Sequence, residues 1–360
     1  MVGIFTTPVA RTTFWFNTFY FTMNSMSITA GHHRLWSHKS YKASPFLKVI
    51  FAMFCAGSAQ GSIFWWCRDH RIHHRYSDTD KDPYNAHEGF FYSHIGWILL
   101  KRDRRRMPYV DTADLQSDKI VMWQHRNYIP LVAIFAFILP VTVCGLLGDW
   151  RGGFFHAIFT RIAVVQHTTF FGNSLAHIIG TTTYDDDSSA KDSLFTSLFT
   201  LGEGYHSFHH EFPNDYRSGY RYYEYDPTKW FIKACYYLGL SYDLKTFPDN
   251  EIEKGYLENK TYQIQKLKEK INYGTPVNEL QVYTQTEFDQ QVSEYNKQWL
   301  IINDIIHDVE TFADEHPGGK LLVLSGIGKD MTDAFTGGVY KHHKAAHNLL
   351  SQFRVGKLSK

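Results

Sequence analysis

The chain has 360 residues, enough for two domains, and its 37 Lys and Arg balance 36 Asp and Glu to a net charge of +1. A charge so close to zero gives no support for nucleic acid as a partner. The chain is rich in histidine (20 residues) and in aromatic residues (17%), and its four scattered cysteines form no CxxC pair, so we expect buried free thiols.

Apolar runs fill the first half of the chain. Residues 14–31 carry no charge, and residues 46–67 carry only Lys48. Residues 128–147 are also uncharged and are long enough to cross a bilayer core of ~30 Å, and residues 154–180 carry only Arg161. We predict that the last two runs form a hairpin of membrane spans, with buried core helices as the alternative. Small residues inside residues 46–67, and the tryptophans that end the run, favour an interfacial helix there.

Polar chain surrounds and follows these runs. The segment KRDRRR at residues 101–106 has five bases in six positions. Residues 256–270 are charged and predict a helical connector. Between Glu279 and Tyr340 there are eleven acids and three bases, and this change of composition indicates a separate acidic domain.

Three histidine clusters mark the candidate site. The first is GHHRLWSH, with His33 and His38 five positions apart, and the other two share the pattern HxxHH. Positions i, i+3 and i+4 fall on one face of a helix, so each HxxHH can aim three imidazoles at one point. The five-residue spacing fits a helix end, where the chain can turn back.

So many histidines exceed the needs of one metal ion. Neutral imidazole suits Zn, Cu, Fe and Ni, and a catalytic zinc needs about three protein ligands. Eight histidines therefore imply two metals, and their position beside apolar spans favours iron and O2 chemistry.

The segments GHHRLWSH, RDHRIHHRYSDTDKDPY and GEGYHSFHHEFPNDYR resemble the three histidine boxes of the membrane acyl-CoA Δ9 desaturases, the stearoyl-CoA desaturase family. The likeness covers about residues 8 to 250. It implies a di-iron centre with nine histidine ligands, and a tenth residue, Asn173, that reaches one iron through water. The implied catalytic and metal-binding histidines are His33, His38, His70, His73, His74, His177, His206, His209 and His210.

The resemblance also implies the activity. An alkyl C–H in the middle of a saturated chain has no acidic proton, so acid–base side chains cannot attack it, and an oxidised metal centre must abstract the hydrogen. The expected reaction turns saturated C16 or C18 acyl-CoA, with O2 and two electrons, into the cis-unsaturated acyl-CoA. The expected setting is the endoplasmic reticulum membrane, with the histidine boxes and the haem domain on the cytosolic side of a multi-pass chain.

Several residues are candidates for binding the substrate. Arg68 and Asp69 match family residues near the CoA end, and Trp66 is expected to wall the acyl tunnel. The bases of residues 101–106 suit either CoA phosphates or anionic lipid headgroups, each base being worth ~1 kcal/mol at such a surface. Phe21 and Ser25, one helical turn apart, are candidates for limiting chain length, with core packing as the alternative.

The C-terminal segment DEHPGG, at residues 314–319, resembles the haem motif of cytochrome b5. The resemblance implies His316 as one axial ligand of haem b and His342 as the other, with His343 and His347 as alternatives. Two histidine ligands close both axial positions, so this haem is expected to carry electrons. The acidic surface suits a basic reductase, and NADH–cytochrome b5 reductase is the expected electron donor.

The complete prediction is a mainly α protein, with a transmembrane desaturase core and a cytosolic helical cap, fused as in fungal desaturases to a small α+β haem domain. The predicted boundaries are residues 1–250 for the desaturase domain, 251–275 for a linker and 276–360 for the haem domain. Compared with the family pattern of four spans, the chain is expected to lack the first. The alternatives are a membrane di-iron fatty-acid hydroxylase and an inactive truncated paralogue that retains only the electron carrier.

Overall fold

The structure is a computed structural model that describes residues 2–100, 108–338 and 340–359. It divides into two compact units, Met1–Gln263 and Ile264–Lys360. The first unit is mainly helical, and the second combines short helices with a four-stranded sheet. The predicted fold class is therefore confirmed.

Four helices open the first unit: α1 (Val2–Thr6), α2 (Arg11–Met26), α3 (Pro45–Ser58) and α4 (Ile63–Tyr76). Helix α2 continues directly into a π-helical stretch, Ser27–Ser37. Ser44 and Ser62 cap the N-termini of α3 and α4 by accepting backbone N–H bonds. Helix α3 ends at Ala59, which has a left-handed φ of 57°, and the chain bends by 83° before α4.

The remaining helices of this unit follow in chain order. They are α5 (Trp97–Leu99), α6 (Ala113–Ser117), α7 (Lys119–Arg126), α8 (Tyr128–Val132), α9 (Leu139–Leu146), α10 (Trp150–Gly152), α11 (Arg161–Asn173), α12 (Leu194–Thr200), α13 (His206–Glu211), α14 (Pro227–Tyr237) and α15 (Asp249–Lys268), the last of which continues past Gln263 into the second unit. Shorter π-helical and 3-10 turns lie at Ala86–Glu88, Tyr92–Gly96, Ala133–Ile138, Gly153–Thr160 and Leu175–His177. Strands β1 (Lys42–Ala43) and β2 (Ser241–Tyr242) form an antiparallel pair.

One continuous helix among the described residues, Tyr128–Leu146, is long and apolar enough to span a membrane. It corresponds to the first arm of the predicted hairpin. The second arm is helical from Trp150 to Asn173 but does not meet the same test of length and hydropathy. The bent pair α3 and α4 meets that test only when its two helices are taken together.

The four cysteines are buried free thiols, as expected from their apolar surroundings. Cys67 and Cys235 belong to the main core of the first unit, which joins α3, α4 and α14 around Phe51 and Ile63. A smaller core packs Phe208 and Phe212 against Ile252 of α15.

The second unit holds a sheet with strand order β3-β6-β5-β4. Its strands are β3 (Gln281–Tyr283), β4 (Trp299–Ile302), β5 (Ile305–Asp308) and β6 (Arg354–Leu358), and its helices are α16 (Gln285–Ser293), α17 (Lys320–Leu324), α18 (Thr332–Thr336) and α19 (Lys344–Leu350). Asn303 and Asp304 join β4 to β5 with positive φ at both positions, the backbone that a two-residue hairpin turn favours.

Candidate metal centre and haem site

Five imidazoles from all three histidine boxes form the first cluster. Their ligating nitrogens all lie within 4.8 Å of one another. The Nε2 atoms of His33 and His209 are 2.9 Å apart, and those of His38 and His70 are 2.8 Å apart. The five members are His33, His38, His70, His74 and His209.

Four further imidazoles form a second cluster under the same distance criterion. The Nε2 atom of His206 lies 3.1 Å from that of His177 and 3.1 Å from that of His210. The members are His73, His177, His206 and His210. The nine sequence-predicted histidines thus fall into two groups of ligand atoms, which fits two metal ions.

Helix geometry explains how each box contributes. Helix α4 carries the second box, and α13 carries the third box in its first turn. Each HxxHH places its imidazoles on one face, although His73 and His74 turn to different clusters. The first box lies at the C-terminal end of the π-helical stretch. There the backbone N–H of His38 donates to the carbonyl of His33 at 3.1 Å. A π-helix bonds residue i to i+5, so the two histidines lie one above the other, and His38 caps the C-terminal end of the stretch, in agreement with the helix end that the spacing predicted.

Carboxylates contact the Nδ1 atoms of two of the imidazoles. His33 Nδ1 lies 3.1 Å from Glu203 Oε2, and His73 Nδ1 lies 2.9 Å from Asp82 Oδ1. An ionised carboxylate only accepts hydrogen bonds, so His73 donates its Nδ1–H to Asp82 and keeps a lone pair on Nε2. His33 Nδ1 lies close to Glu203, but the contact does not have hydrogen-bond geometry. His73 Nε2 is buried and has no hydrogen-bond partner in the structure, as expected of a nitrogen that ligates a metal.

A hydroxyl group accepts the Nδ1–H of His177. Ser189 donates its hydroxyl hydrogen to Asp78 and therefore accepts from His177 Nδ1 at 2.7 Å. Asp78, Asp82 and Ser189 were not among the predicted residues, because no regular spacing in the sequence links them to the histidines that they orient.

Glu203 also belongs to a buried ion network. Arg34 donates to Glu203 at 2.7 Å and to Asp226 at 3.0 Å, and all three side chains are almost fully buried. Burial raises the pKa of Glu203, but the charge of Arg34 and its hydrogen bonds outweigh burial and bring the pKa to about 2. The carboxylate is therefore ionised at neutral pH and fixes the orientation of His33.

A cavity of about 480 Å³ opens beside the first cluster. Trp66, His70 and Asn173 line it, and the Trp66 indole stacks on His70 at 4.9 Å. The predicted water-bridged residue and the predicted tunnel tryptophan thus share one cavity with a metal-cluster histidine.

The other predicted substrate residues lie elsewhere. Arg68 and Asp69 pair with each other at 2.7 Å and are partly exposed. Phe21 and Ser25 lie on α2, outside the described lining of the cavity, and Ser25 is buried. The basic segment at residues 101–106 lies outside the described residues.

Two histidine rings face each other in the second unit. The rings of His316 and His342 have centroids 6.3 Å apart. His342 donates its Nδ1–H to the carbonyl of Phe335 at 3.0 Å, which leaves Nε2 free as a ligand atom. Both alternatives lie close by, since His343 contacts Tyr340 and His347 packs on Phe335.

The space beside His316 is suited to a flat group. A Cβ added at Gly318 would lie 2.9 Å from the His316 ring, so the absence of a side chain there keeps this side of the imidazole clear. Two neutral imidazoles at this separation fit the axial positions of haem.

These features together define a histidine-ligated two-metal redox protein with a haem-binding electron carrier on the same chain. Comparison with known sequences agrees with this class. The Fatty acid desaturase family matches residues 11–246, and the Cytochrome b5-like Heme/Steroid binding domain matches residues 284–359.

Named relatives cover nearly the whole chain. "Probable acyl-CoA desaturase" of Schizosaccharomyces pombe is 49% identical over 354 residues, which are 98% of this chain and 73% of the relative. "Acyl-CoA desaturase 1" of Saccharomyces cerevisiae is 45% identical over 349 residues, 97% of this chain and 68% of the relative. "Stearoyl-CoA desaturase" of Homo sapiens is 38% identical over 251 residues, 68% of this chain and 70% of the relative.

The chain therefore belongs to the fatty acid desaturase family, with a cytochrome b5 domain after the desaturase domain. The family is di-iron and the second domain indicates haem, so the predicted cofactors are confirmed. The prediction of an oxidoreductase is confirmed as well.

Proposed function

We propose that this chain is an acyl-CoA Δ9 desaturase that inserts a cis double bond into saturated C16 or C18 acyl-CoA, using O2 and electrons from NADH. The observation that carries the proposal is the pair of histidine clusters, which join all three boxes into sites for two metals. The relatives that match most of the chain have acyl-CoA desaturase in their names, and this agrees with the proposal.

The nine clustered histidines would hold the two irons, and Asn173 would contact one of them through water. Bound iron supplies the oxidising power that removes hydrogen from an unactivated alkyl chain, which no side chain can do. The protein's own part is to orient the ligands. Asp82 and Ser189 accept the Nδ1–H of His73 and His177, and Glu203 lies 3.1 Å from Nδ1 of His33, which leaves Nε2 of these rings for the metal.

The cavity beside the first cluster is the proposed place of the reacting part of the acyl chain. Trp66 stacks on His70 and gives the cavity a flat apolar wall next to a ligand. Such a wall excludes water and positions the chain against the metals. Arg68 and Asp69 are proposed to bind the CoA end, and Phe21 and Ser25 to limit the chain length.

The haem domain is proposed to deliver electrons one at a time. His316 and His342 would be the axial ligands, and NADH–cytochrome b5 reductase would reduce the haem. Tethering the carrier to the oxidase raises its effective concentration, to about millimolar for a short flexible linker. We place the protein in the endoplasmic reticulum membrane, with the histidine clusters and the haem on the cytosolic side.

The test is product analysis in membranes that have no desaturase of their own. The chain is expressed there and supplied with NADH, O2 and stearoyl-CoA, and the acyl products are identified by mass spectrometry. A cis-9 monoene is expected from the native chain and from the control His125→Gln, which lies outside both clusters. His74→Ala should give none. A hydroxylated product, or no product from a chain with a normal haem spectrum, would refute the proposal.

A further inference from the structure

Helix α12 buries its polar side chains and exposes its apolar ones. Its Thr196, Ser197 and Thr200 face the protein and are almost completely buried. Four large apolar residues point outward, each 48–56% exposed: Leu194, Phe195, Leu198 and Phe199. A helix on a water-facing surface has the opposite arrangement, so this outer face requires an apolar environment.

The inner, polar face packs against the protein. Ser197 donates its hydroxyl hydrogen to the carbonyl of Tyr225, outside the helix, at 2.9 Å, whereas Thr200 donates within the helix to the carbonyl of Thr196 at 2.8 Å. Ser193 caps the helix by accepting the N–H of Thr196. The orientation of α12 is therefore set by the Ser197–Tyr225 bond together with the burial of Thr196, Ser197 and Thr200.

The apolar face continues onto neighbouring apolar surface. Phe199 contacts Phe171 of α11, with ring centroids 6.2 Å apart. Val164 of the same helix is exposed, as are Phe154 and Phe159 on the π-helical stretch before it, which packs against α9 of the candidate span. Ile178 and Ile179, also exposed, extend the surface on the other side, where Lys191 donates to the Ile178 carbonyl.

We propose that the outer face of α12 inserts into the interfacial region of the lipid bilayer, as a membrane anchor next to the metal centre. The proposal rests on the membrane setting given under the proposed function. The occupant is lipid because the face carries no charged residue and is continuous with the exposed apolar side of the helices that lead from the span. Lys191 lies at its edge, where a cation meets headgroup phosphates.

The anchor is hydrogen-bonded to the backbone next to Glu203, the residue that contacts His33. The N–H of Ser193 donates to the carbonyl of Gly204 at 2.8 Å. A Cβ added at Gly204 would lie 2.1 Å from the Ser197 nitrogen, so α12 and this backbone are in closest contact. Gly204 follows Glu203, the partner of His33, and lies two positions before His206, the first histidine of the third box. The membrane surface would thus help to hold the segment that positions Glu203 and His206.

The test measures what surrounds a nitroxide spin label in phosphatidylcholine nanodiscs. All four native cysteines are buried, so a label can be directed to Leu198→Cys and, as a second position on the same face, Phe195→Cys. Collisions with O2, which concentrates in lipid, are compared with collisions with the water-soluble complex NiEDDA. The controls are Ile138→Cys, exposed on the candidate span, and Glu253→Cys, exposed on α15.

The expected result is a ratio of O2 to NiEDDA collisions at both α12 positions that is close to the Ile138 value and far above the Glu253 value. A ratio close to the Glu253 value would overturn the inference. Low collision rates with both reagents would also overturn it, because they would mean that a second protein chain covers the face. If Ile138 itself behaves like Glu253, the proposed membrane setting fails, and this outcome is distinct from failure at α12 alone.

Discussion

Asp82 is a single side chain on which the proposed metal centre depends without being a ligand. It accepts a hydrogen bond from His73 Nδ1 and two more from the backbone N–H groups of Asp78 and Tyr84. Burial raises its pKa, but these contacts outweigh burial and keep the pKa below its usual value. The carboxylate is therefore ionised and selects the His73 tautomer that leaves Nε2 free.

We predict that Asp82→Asn lowers metal affinity at the second cluster by about 10- to 100-fold, the usual effect of losing such an orienting partner. The measurement is non-haem iron per haem in purified protein, in which the haem serves as an internal standard. The matched control is Asp80→Asn, two positions away and exposed. Equal iron content in the two variants would show that Asp82 does not orient the ligand.

The choice between the candidate axial histidines is also a question of single residues. His342 faces His316 and has a free Nε2, whereas His347 packs edge-on against Phe335. We expect His342→Ala to abolish the low-spin haem spectrum, because one axial position loses its ligand. His347→Ala should keep the spectrum, and the opposite pattern in an absorption measurement would reverse the assignment.

At the scale of single elements, strand β5 contains a buried histidine that makes the second unit sensitive to acid. His307 is almost fully buried, and burial, aided by the charge of Arg354, lowers its pKa to about 4. The unfolded chain therefore binds a proton near pH 6.5 that the folded strand does not. Stability is highest above pH 6.5 and falls as the pH drops from 6.5 towards 4.

We predict that the second unit loses about 2 kcal/mol of unfolding free energy between pH 7 and pH 5 because of His307, at 1.36 kcal/mol for each of the roughly 1.5 pH units between the unfolded pKa and pH 5. The measurement is the denaturant midpoint for loss of the haem absorption band at pH 7 and pH 5. His307→Leu should flatten the difference, since it removes the titrating group. An equal loss in both proteins would show that His307 is not the source of the acid sensitivity.

The elements also show where sequence reasoning succeeds and where it stops. The HxxHH spacing predicted helices with imidazoles on one face, and α4 and α13 have this form, because three- and four-residue steps are a local property of the helix. The spacing of His33 and His38 predicted a helix end, and His38 is the C-terminal cap there, but the spacing did not predict that the helix is of the π type. The polar side of α12 is buried because of distant partners such as the Tyr225 carbonyl, so no local pattern in the sequence predicts this burial.

For the whole molecule, the sequence indicated two functional parts because composition and motifs change together near residue 280. The sequence did not predict how the nine histidines divide into groups of five and four. That division depends on how α4 is rotated between the first and third boxes, which is a result of tertiary packing. The same holds for Arg34, whose partners Glu203 and Asp226 lie far along the chain.

The tethered carrier leads to a prediction for the complete chain. His316→Ala should prevent haem binding and lower NADH-driven monoene formation by more than about tenfold, because the tethered donor at about millimolar effective concentration is lost. Separate cytochrome b5, added in excess, should restore part of the activity, since the di-iron centre is intact. Failure of restoration in a variant with normal non-haem iron would mean that the haem domain does more than carry electrons.

The scattered origin of the first cluster also has a consequence for how the protein is made. His209 follows His38 by 171 positions, and at roughly 5 to 20 residues per second a ribosome needs about 10 to 35 s to cover that distance. During this interval the first two boxes exist without the third, and neither cluster has its full set of ligands. We therefore expect metal loading to be a late step of biosynthesis. A nascent chain that stalls before α13 would expose imidazoles that have no bound metal ion.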